Sequence, residues 1–208
     1  MKRILLIGIY CLSGLLLWAQ KPEELITKML QRMNQEALQA NFVLALQEDM
    51  ISDPAIYRGS ILMKESKFHL TMADTEVYYD GSTQWVYSDD TEELTISHPT
   101  QDDLAGTNPL LILKRLKRSC NIDFYDKEQS KESYIIVFYP KEEPSEVRKI
   151  LVTLRKDNHL PTKLVLEASR GNVTTLVLSQ LKVNVPTTVT DFSVSATQYP
   201  NAIINDLR

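Results

Sequence analysis

The dipeptide Asp80-Gly81, set between Val77-Tyr78-Tyr79 and Trp85-Val86-Tyr87, constrains the fold more than any other feature of this 208-residue chain. Glycine tolerates the positive φ that a tight turn needs, so Asp-Gly between apolar runs reads as a β-hairpin. A second turn at Ser88-Asp89-Asp90 extends the hairpin into a meander. An acidic linker and the apolar run Leu110, Leu111, Ile112, Leu113, Leu116 follow. Asn108 can cap a helix there, and Pro109 suits its first position, where a missing N–H costs nothing. The stretch therefore predicts antiparallel strands followed by a helix whose apolar first turn must be covered.

The same alternation recurs on both sides. Phe42, Leu44 and Leu46 share one face of a strand, and after a turn at Asp53-Pro54, Tyr57, Gly59, Ile61 and Met63 share another. Phe68, Leu70 and Met72 continue inward, the meander carries the sheet on through Tyr79, Trp85 and Tyr87, and Trp85 and Tyr87 are assigned to the inward side. Further alternating runs lie at Ile122–Phe124, Tyr134–Phe138, Val147–Leu154, Lys163–Leu166 and Val173–Val183, with a short edge expected at Phe192–Val194. The tail from Tyr199 carries no periodic signal. Before the strands, Pro22-Glu23-Glu24 opens a helix with acids at its positive end, and Leu25, Ile26, Met29, Leu30 and Met33 give it one apolar face. The sum is a mainly β (α+β) chain of roughly ten antiparallel strands, with few helices. A large sheet with one apolar face stays dry by packing on a second sheet or by curling under its helices. The expected architecture is a curled antiparallel sheet, an incomplete β-barrel with a lid of short α-helices.

Residues 1–19 begin with Lys2-Arg3, run apolar from Ile4 to Trp18 and end at Ala19. That is a secretory signal, shorter than the roughly 20 residues a membrane span needs, with cleavage expected after about Ala19. Ile9-Tyr10 precede Cys11, where a lipoprotein signal would need small residues. Residues 20–208 then form a single exported domain retaining one cysteine, Cys120, and so without an internal disulfide. A formal net charge of −4 argues against nucleic-acid partners.

Chemistry-bearing patterns are missing. His69, His98 and His159 have no ligand at metal spacing, and the chain contains no GxSxG, Walker A or GxGxxG sequence. Asp89, Asp90, Glu92 and Glu93 read as a solvated turn. No catalytic residues, metal or cofactor are expected, and the chain is not read as an enzyme.

The DGxxxWVY meander, the Asn108-Pro109 helix, the N-terminal amphipathic helix, the Ser60–Phe68 strand pair and the late strands together resemble the periplasmic outer-membrane lipoprotein carriers of the LolA-like family. The resemblance implies an unclosed barrel whose hollow takes lipoprotein acyl chains. Implied partners are an inner-membrane export complex as donor and an outer-membrane acceptor, with the carrier a periplasmic monomer. On this reading Phe42, Leu44, Ile61, Met63 and Phe68 line a lipid cavity with Leu70, Met72, Trp85 and Tyr87. Leu25, Met29, Leu110, Leu111 and Leu113 form its lid. The family often has an Arg-Pro pair before the strand that here begins at Lys67, the arginine helping to hold the lid shut; this chain has Lys64-Glu65-Ser66 instead. By pattern alone the same apolar residues would serve a packed core, and the resemblance favours the cavity. The alternative function is a lipid- or lipoprotein-sensing interaction domain of the same fold without a transfer role.

Overall fold

The computed structural model describes residues 21–49, 52–100, 103–104, 113, 116–126, 130–142, 144–195 and 197–208. The segment read as an export signal lies outside them, as do Asn108, Pro109, Leu110 and Leu111. Among the described residues no helix is long and apolar enough to cross a membrane.

Helix α1 (Pro22–Gln35) has Pro22 in its first turn, Glu23 and Glu24 beside it, and Arg32 in the last turn. This charge order complements the helix dipole. Leu25, Ile26, Met29, Leu30 and Met33 are buried, the face that three- and four-residue spacing selects. The helix leads into six consecutive strands: β1 (Leu38–Gln47), β2 (Ala55–Lys64), β3 (Lys67–Met72), β4 (Thr75–Tyr79), β5 (Gln84–Ser88) and β6 (Glu93–Ser97). A crossover of residues 98–119 connects to β7 (Cys120–Phe124), β8 (Ser133–Pro140), β9 (Val147–Arg155), β10 (Pro161–Ala168) and β11 (Val173–Val183). A 3-10 turn (Val189–Phe192) and β12 (Ile203–Asp206) complete the chain.

The described strands form one sheet in the order β12-β6-β5-β4-β3-β2-β1-β11-β10-β9-β8-β7. Two meanders, β1 to β6 and β7 to β11, meet where β1 pairs antiparallel with β11. The sheet is open, with β12 and β7 at its edges. Its first meander ends at β6, next to the edge strand β12, and its second begins at the opposite edge with β7, so the crossover joins the two sides of the sheet. Helix α1 contacts both β2 and β7, which are six strand spacings apart, about 29 Å on a flat sheet at roughly 4.8 Å per strand. Curling brings them within reach of one helix. A bulge adds to the bend: Gln39 faces Lys182 but Asn41 faces Ser179, and Gln180 takes a φ of +50°.

Two expectations are corrected at the C-terminus. Phe192–Val194 is no strand; Phe192 closes the 3-10 turn and is buried. The edge strand lies later, at Ile203–Asp206, and it pairs parallel to β6 through residues that are all exposed. Backbone bonds from Ile203 N to Glu92 O and from Leu207 N to Ile96 O, both 2.8 Å, hold it. A strand fixed by its backbone, with both faces wet, needs no apolar period.

The Asp80-Gly81 turn forms as read. Asp80 Oδ1 accepts from Ser82 N at 2.9 Å and Thr83 N at 2.8 Å, and Gly81 has a φ of +106°. A different constraint applies at Gly59, which faces Phe42 across β1 and β2. A Cβ there would overlap the Thr71 carbonyl oxygen and lie 2.7 Å from Phe42 Cζ. Gly59→Ala should therefore cost about 1–3 kcal/mol, read as a lowered urea midpoint at unchanged slope.

Candidate functional site

The concave face of the sheet is a trough built in rows by strand register. Leu38, Met63, Phe68 and Tyr79 form one row across β1 to β4, and Ala40, Ile61, Leu70 and Val77 form the next. Phe42 and Leu44 continue into the second meander through Leu178 and Leu176, and Leu164, Val152 and Ile136 carry on that wall. These side chains belong to one apolar cluster with the buried face of α1 and with Leu104, Leu113 and Leu116 of the crossover. Leu25, Met29 and Leu113 are fully buried. Trough and cover are thus in direct apolar contact.

Of the nine residues expected to line the cavity, seven share this face. Phe42, Ile61, Met63, Phe68 and Leu70 are buried in the cluster, and Leu44 and Met72 pack against it half-exposed. Trp85 and Tyr87 do not share it. Tyr79 pairs with Gln84 and Val77 with Val86, which puts Gln84 and Val86 on the trough side and turns Trp85 and Tyr87 to the convex face. Gln84 is 7 % exposed. The lid candidates Leu25, Met29 and Leu113 lie over the trough, while Leu110 and Leu111 fall outside the described residues. Sequence reasoning passed over Val77, Tyr79 and Val86, and the wall from the second meander. The alternation of β8 to β11 carried that signal, but an antiparallel order alone does not say which strands face each other across a curl.

The cover is held by polar ties as well as by apolar contact. Thr100 and Asp103 cap the helical turn at 103–104 reciprocally: Thr100 N donates to Asp103 Oδ2 at 2.9 Å, and Asp103 N to Thr100 Oγ1 at 3.3 Å. Residues 116–119 are helical, and Lys117 Nζ donates to Thr27 Oγ1 at 2.7 Å, joining the crossover to α1. At the other end of α1, Arg32 donates to Asn158 O at 2.7 Å and pairs with Glu36 at 2.9 Å. One tie reaches the β9–β10 turn and the other reaches only the second piece of cover.

On the convex face the tail meets the misassigned aromatics. Tyr199 stacks on Tyr87 with ring centroids 3.8 Å apart. Tyr78 donates to Glu76 Oε2 at 2.5 Å and lies 3.1 Å from the Tyr199 hydroxyl, and Gln198 Nε2 donates to Tyr78 at 2.9 Å. His69 stacks on Tyr78 and approaches Glu76 at 3.1 Å. Burial raises the Glu76 pKa, but the bonds from Tyr78 and His69 outweigh it, and the carboxyl sits below its ordinary value of 4.5. Burial and the Glu76 carboxylate push the Tyr78 hydroxyl well above the usual phenol range.

Other polar groups are dispersed. His98 lies 3.2 Å from the Ser82 carbonyl and His159 stacks near Tyr134. Cys120 is buried at the start of β7, and burial raises its thiol pKa. Asp89, Asp90 and Glu92 are exposed in the β5–β6 turn. Among the described residues no group of three His, Cys, Asp or Glu could hold a metal ion.

Comparison with known proteins agrees with this geometry. Residues 33–195 match the family described as outer membrane lipoprotein carrier protein LolA. An outer-membrane lipoprotein carrier protein of Francisella tularensis subsp. tularensis (strain WY96-3418) is 24% identical over 207 residues, covering 98% of this chain and 97% of that one. The crystal structure of an uncharacterized conserved protein from Thermus thermophilus superposes with a TM-score of 0.59 at 11% identity, over 88% of this chain and 98% of that one, a likeness of fold. A LolA superfamily protein from Nitrosomonas europaea covers 85% of this chain and 99% of its own at a TM-score of 0.44 and 13% identity.

Two outcomes follow. Lys117→Met removes one hydrogen bond of about 0.5–1.5 kcal/mol. It should raise amide exchange at Leu25–Leu30 by up to about tenfold, while exchange in β1 stays unchanged. Glu76 has a depressed pKa, so the stability it lends is complete above 4.5 and is lost as pH falls through its lowered folded value. Glu76→Gln should flatten the acid limb of a urea-midpoint profile; an unaltered limb would show that Glu76 titrates alike in both states.

Proposed function

The chain belongs to the family of outer membrane lipoprotein carrier proteins, LolA, and from that membership and the covered trough we propose that it carries lipoprotein acyl chains through the periplasm. It takes them from an inner-membrane export complex, shields them, and yields them to an outer-membrane acceptor. Residues 1–19 direct export, and Phe42, Leu44, Ile61, Met63, Phe68, Leu70 and Met72 receive the chains. The carrying observation is that the trough is walled by the sheet but closed by α1 and the crossover, two segments outside it. A filled core built from two sheets would have no removable side.

Shielding an acyl chain is worth roughly 0.8 kcal/mol per methylene, on the order of 12 kcal/mol for about sixteen carbons. A carrier has to offset most of that and still let go. In the closed structure Leu25, Met29 and Leu113 already lie on the trough. When an acyl chain takes their place, apolar contact is exchanged for apolar contact, and the net change stays small in both directions. Met29, Met33 and Met63 within the cluster are unbranched and polarizable, and remodel around an irregular guest. Non-directional packing also admits chains of differing length.

Lipid extraction and mass spectrometry of the protein purified from its host should recover acylated peptide. Leu44→Glu puts a charge on a half-exposed wall position and should weaken binding of a fluorescent acyl probe at least tenfold with little loss of folding; unchanged affinity would move the site elsewhere. Acyl binding with no delivery to acceptor-bearing membranes would instead mark a sensor of the same fold.

A further inference from the structure

The convex side of the sheet is closed over the first meander and open over the seam. Across β3 to β6 the tail covers it: the 3-10 turn packs on β3, Tyr199 stacks on Tyr87, and Tyr78 and Leu94 are 5 % and 6 % exposed. Across β2, β1, β11, β10 and β9 register lays two rows on the side away from Phe42 and Leu44. One runs Ile56, Ala45, Thr175, Val165, Leu151 and the other Arg58, Val43, Val177, Lys163. No residue of these two rows is buried. Ile56 is 45 % exposed and Val177 39 %. A contiguous apolar strip rimmed by charge marks an interaction surface.

The charge at the rim narrows what fits. Arg58 and Lys163 end the second row, three strand spacings or about 14 Å apart. Both are exposed, and among the described residues neither has an ion-pair partner. Glu167, the carboxylate in the row beyond Val165, is already held by Arg148 and Lys149. The strip is therefore positive on a chain whose formal net charge is −4.

We propose that this convex strip is the docking surface for a protein partner that presents apolar side chains flanked by carboxylates. Charge complementarity selects that occupant. A second copy of this chain would bring two positive faces together. An anionic bilayer would satisfy the cations, but neither row holds a Trp or Tyr to enter the membrane interface. A polypeptide supplies both parts: its apolar residues cover the strip, and its carboxylates meet Arg58 and Lys163. Rim charges of this kind act on encounter rate and on the choice of partner. The strip lies on β1 and β11, whose other faces carry Phe42, Leu44 and Leu176 in the trough wall, so a partner held here leaves the trough untouched. The proposal goes beyond the carrier reading and holds whatever the trough takes.

Photo-crosslinking in the host reads the surface directly. p-Benzoylphenylalanine replaces Val177 in the full chain, with Ile56 as the second position should the first fold poorly, and the adduct is identified by mass spectrometry. A protein adduct should form, and Arg58→Glu with Lys163→Glu should cut its yield at least about fivefold while the urea midpoint stays unchanged. Arg58→Gln with Lys163→Gln gives the milder form of the same test. Changing the partner carboxylate nearest the adduct to lysine should restore the yield with Arg58→Glu. A protein adduct indifferent to these charges, or one that no such exchange restores, overturns the proposal. So does an adduct made only with a second copy, only with lipid, or with nothing. Acyl-probe binding by the same variants judges the carrier reading separately.

Discussion

The pairing of β1 with β11 is the interaction on which everything else rests. Each meander can form from its own hairpins, but a trough with two walls exists only once Phe42 faces Leu178 and Leu44 faces Leu176 across that seam. The partners are more than 100 residues apart in sequence, so loop closure opposes the seam until many contacts form together. It is correspondingly long, running from Leu38 to Gln47 on β1. Because β1 is first in its meander and β11 last in its own, joining them sends β6 and β7 to opposite sides of the sheet. The crossover therefore has to join the two sides of the sheet, and its described residues Leu104, Leu113 and Leu116 lie in the apolar cluster of the trough.

Much of this was legible from residue spacing. Strands β1, β2, β3 and β9 keep a period of two with one apolar face, Asp80-Gly81 turns where its chemistry says, and α1 is marked by Pro22, its acids and its apolar stripe. The face of Trp85 and Tyr87 was not legible. It is fixed by parity: four residues, 80–83, separate the paired Tyr79 and Gln84, so a glutamine continues the trough and the aromatics turn away. Size and hydrophobicity pointed the other way. They do so because the convex face is covered as well, by a tail whose strand β12 bonds through its backbone and shows no period. An alternation rule assumes one wet face, and it cannot choose between two faces that are both half-covered, as those of Trp85, Val86 and Tyr87 are.

The two covers of the first meander therefore differ in chemistry, and the difference bears on function. The tail is fixed by directional contacts: Tyr199 on Tyr87, Gln198 and Tyr199 on Tyr78, and the Glu76 carboxylate that Tyr78 and His69 share. Each of these bonds has one geometry, and an acyl chain can supply none of them. The cover of the trough is fixed mainly by Leu25, Met29, Leu104 and Leu113, whose contacts have no preferred direction. An acyl chain reproduces such contacts almost as well. One face of the same sheet is thus closed by directional bonds that a lipid cannot replace and the other by contacts that it can, and on the proposed carrier reading an exchange of cover for cargo would be confined to the concave side.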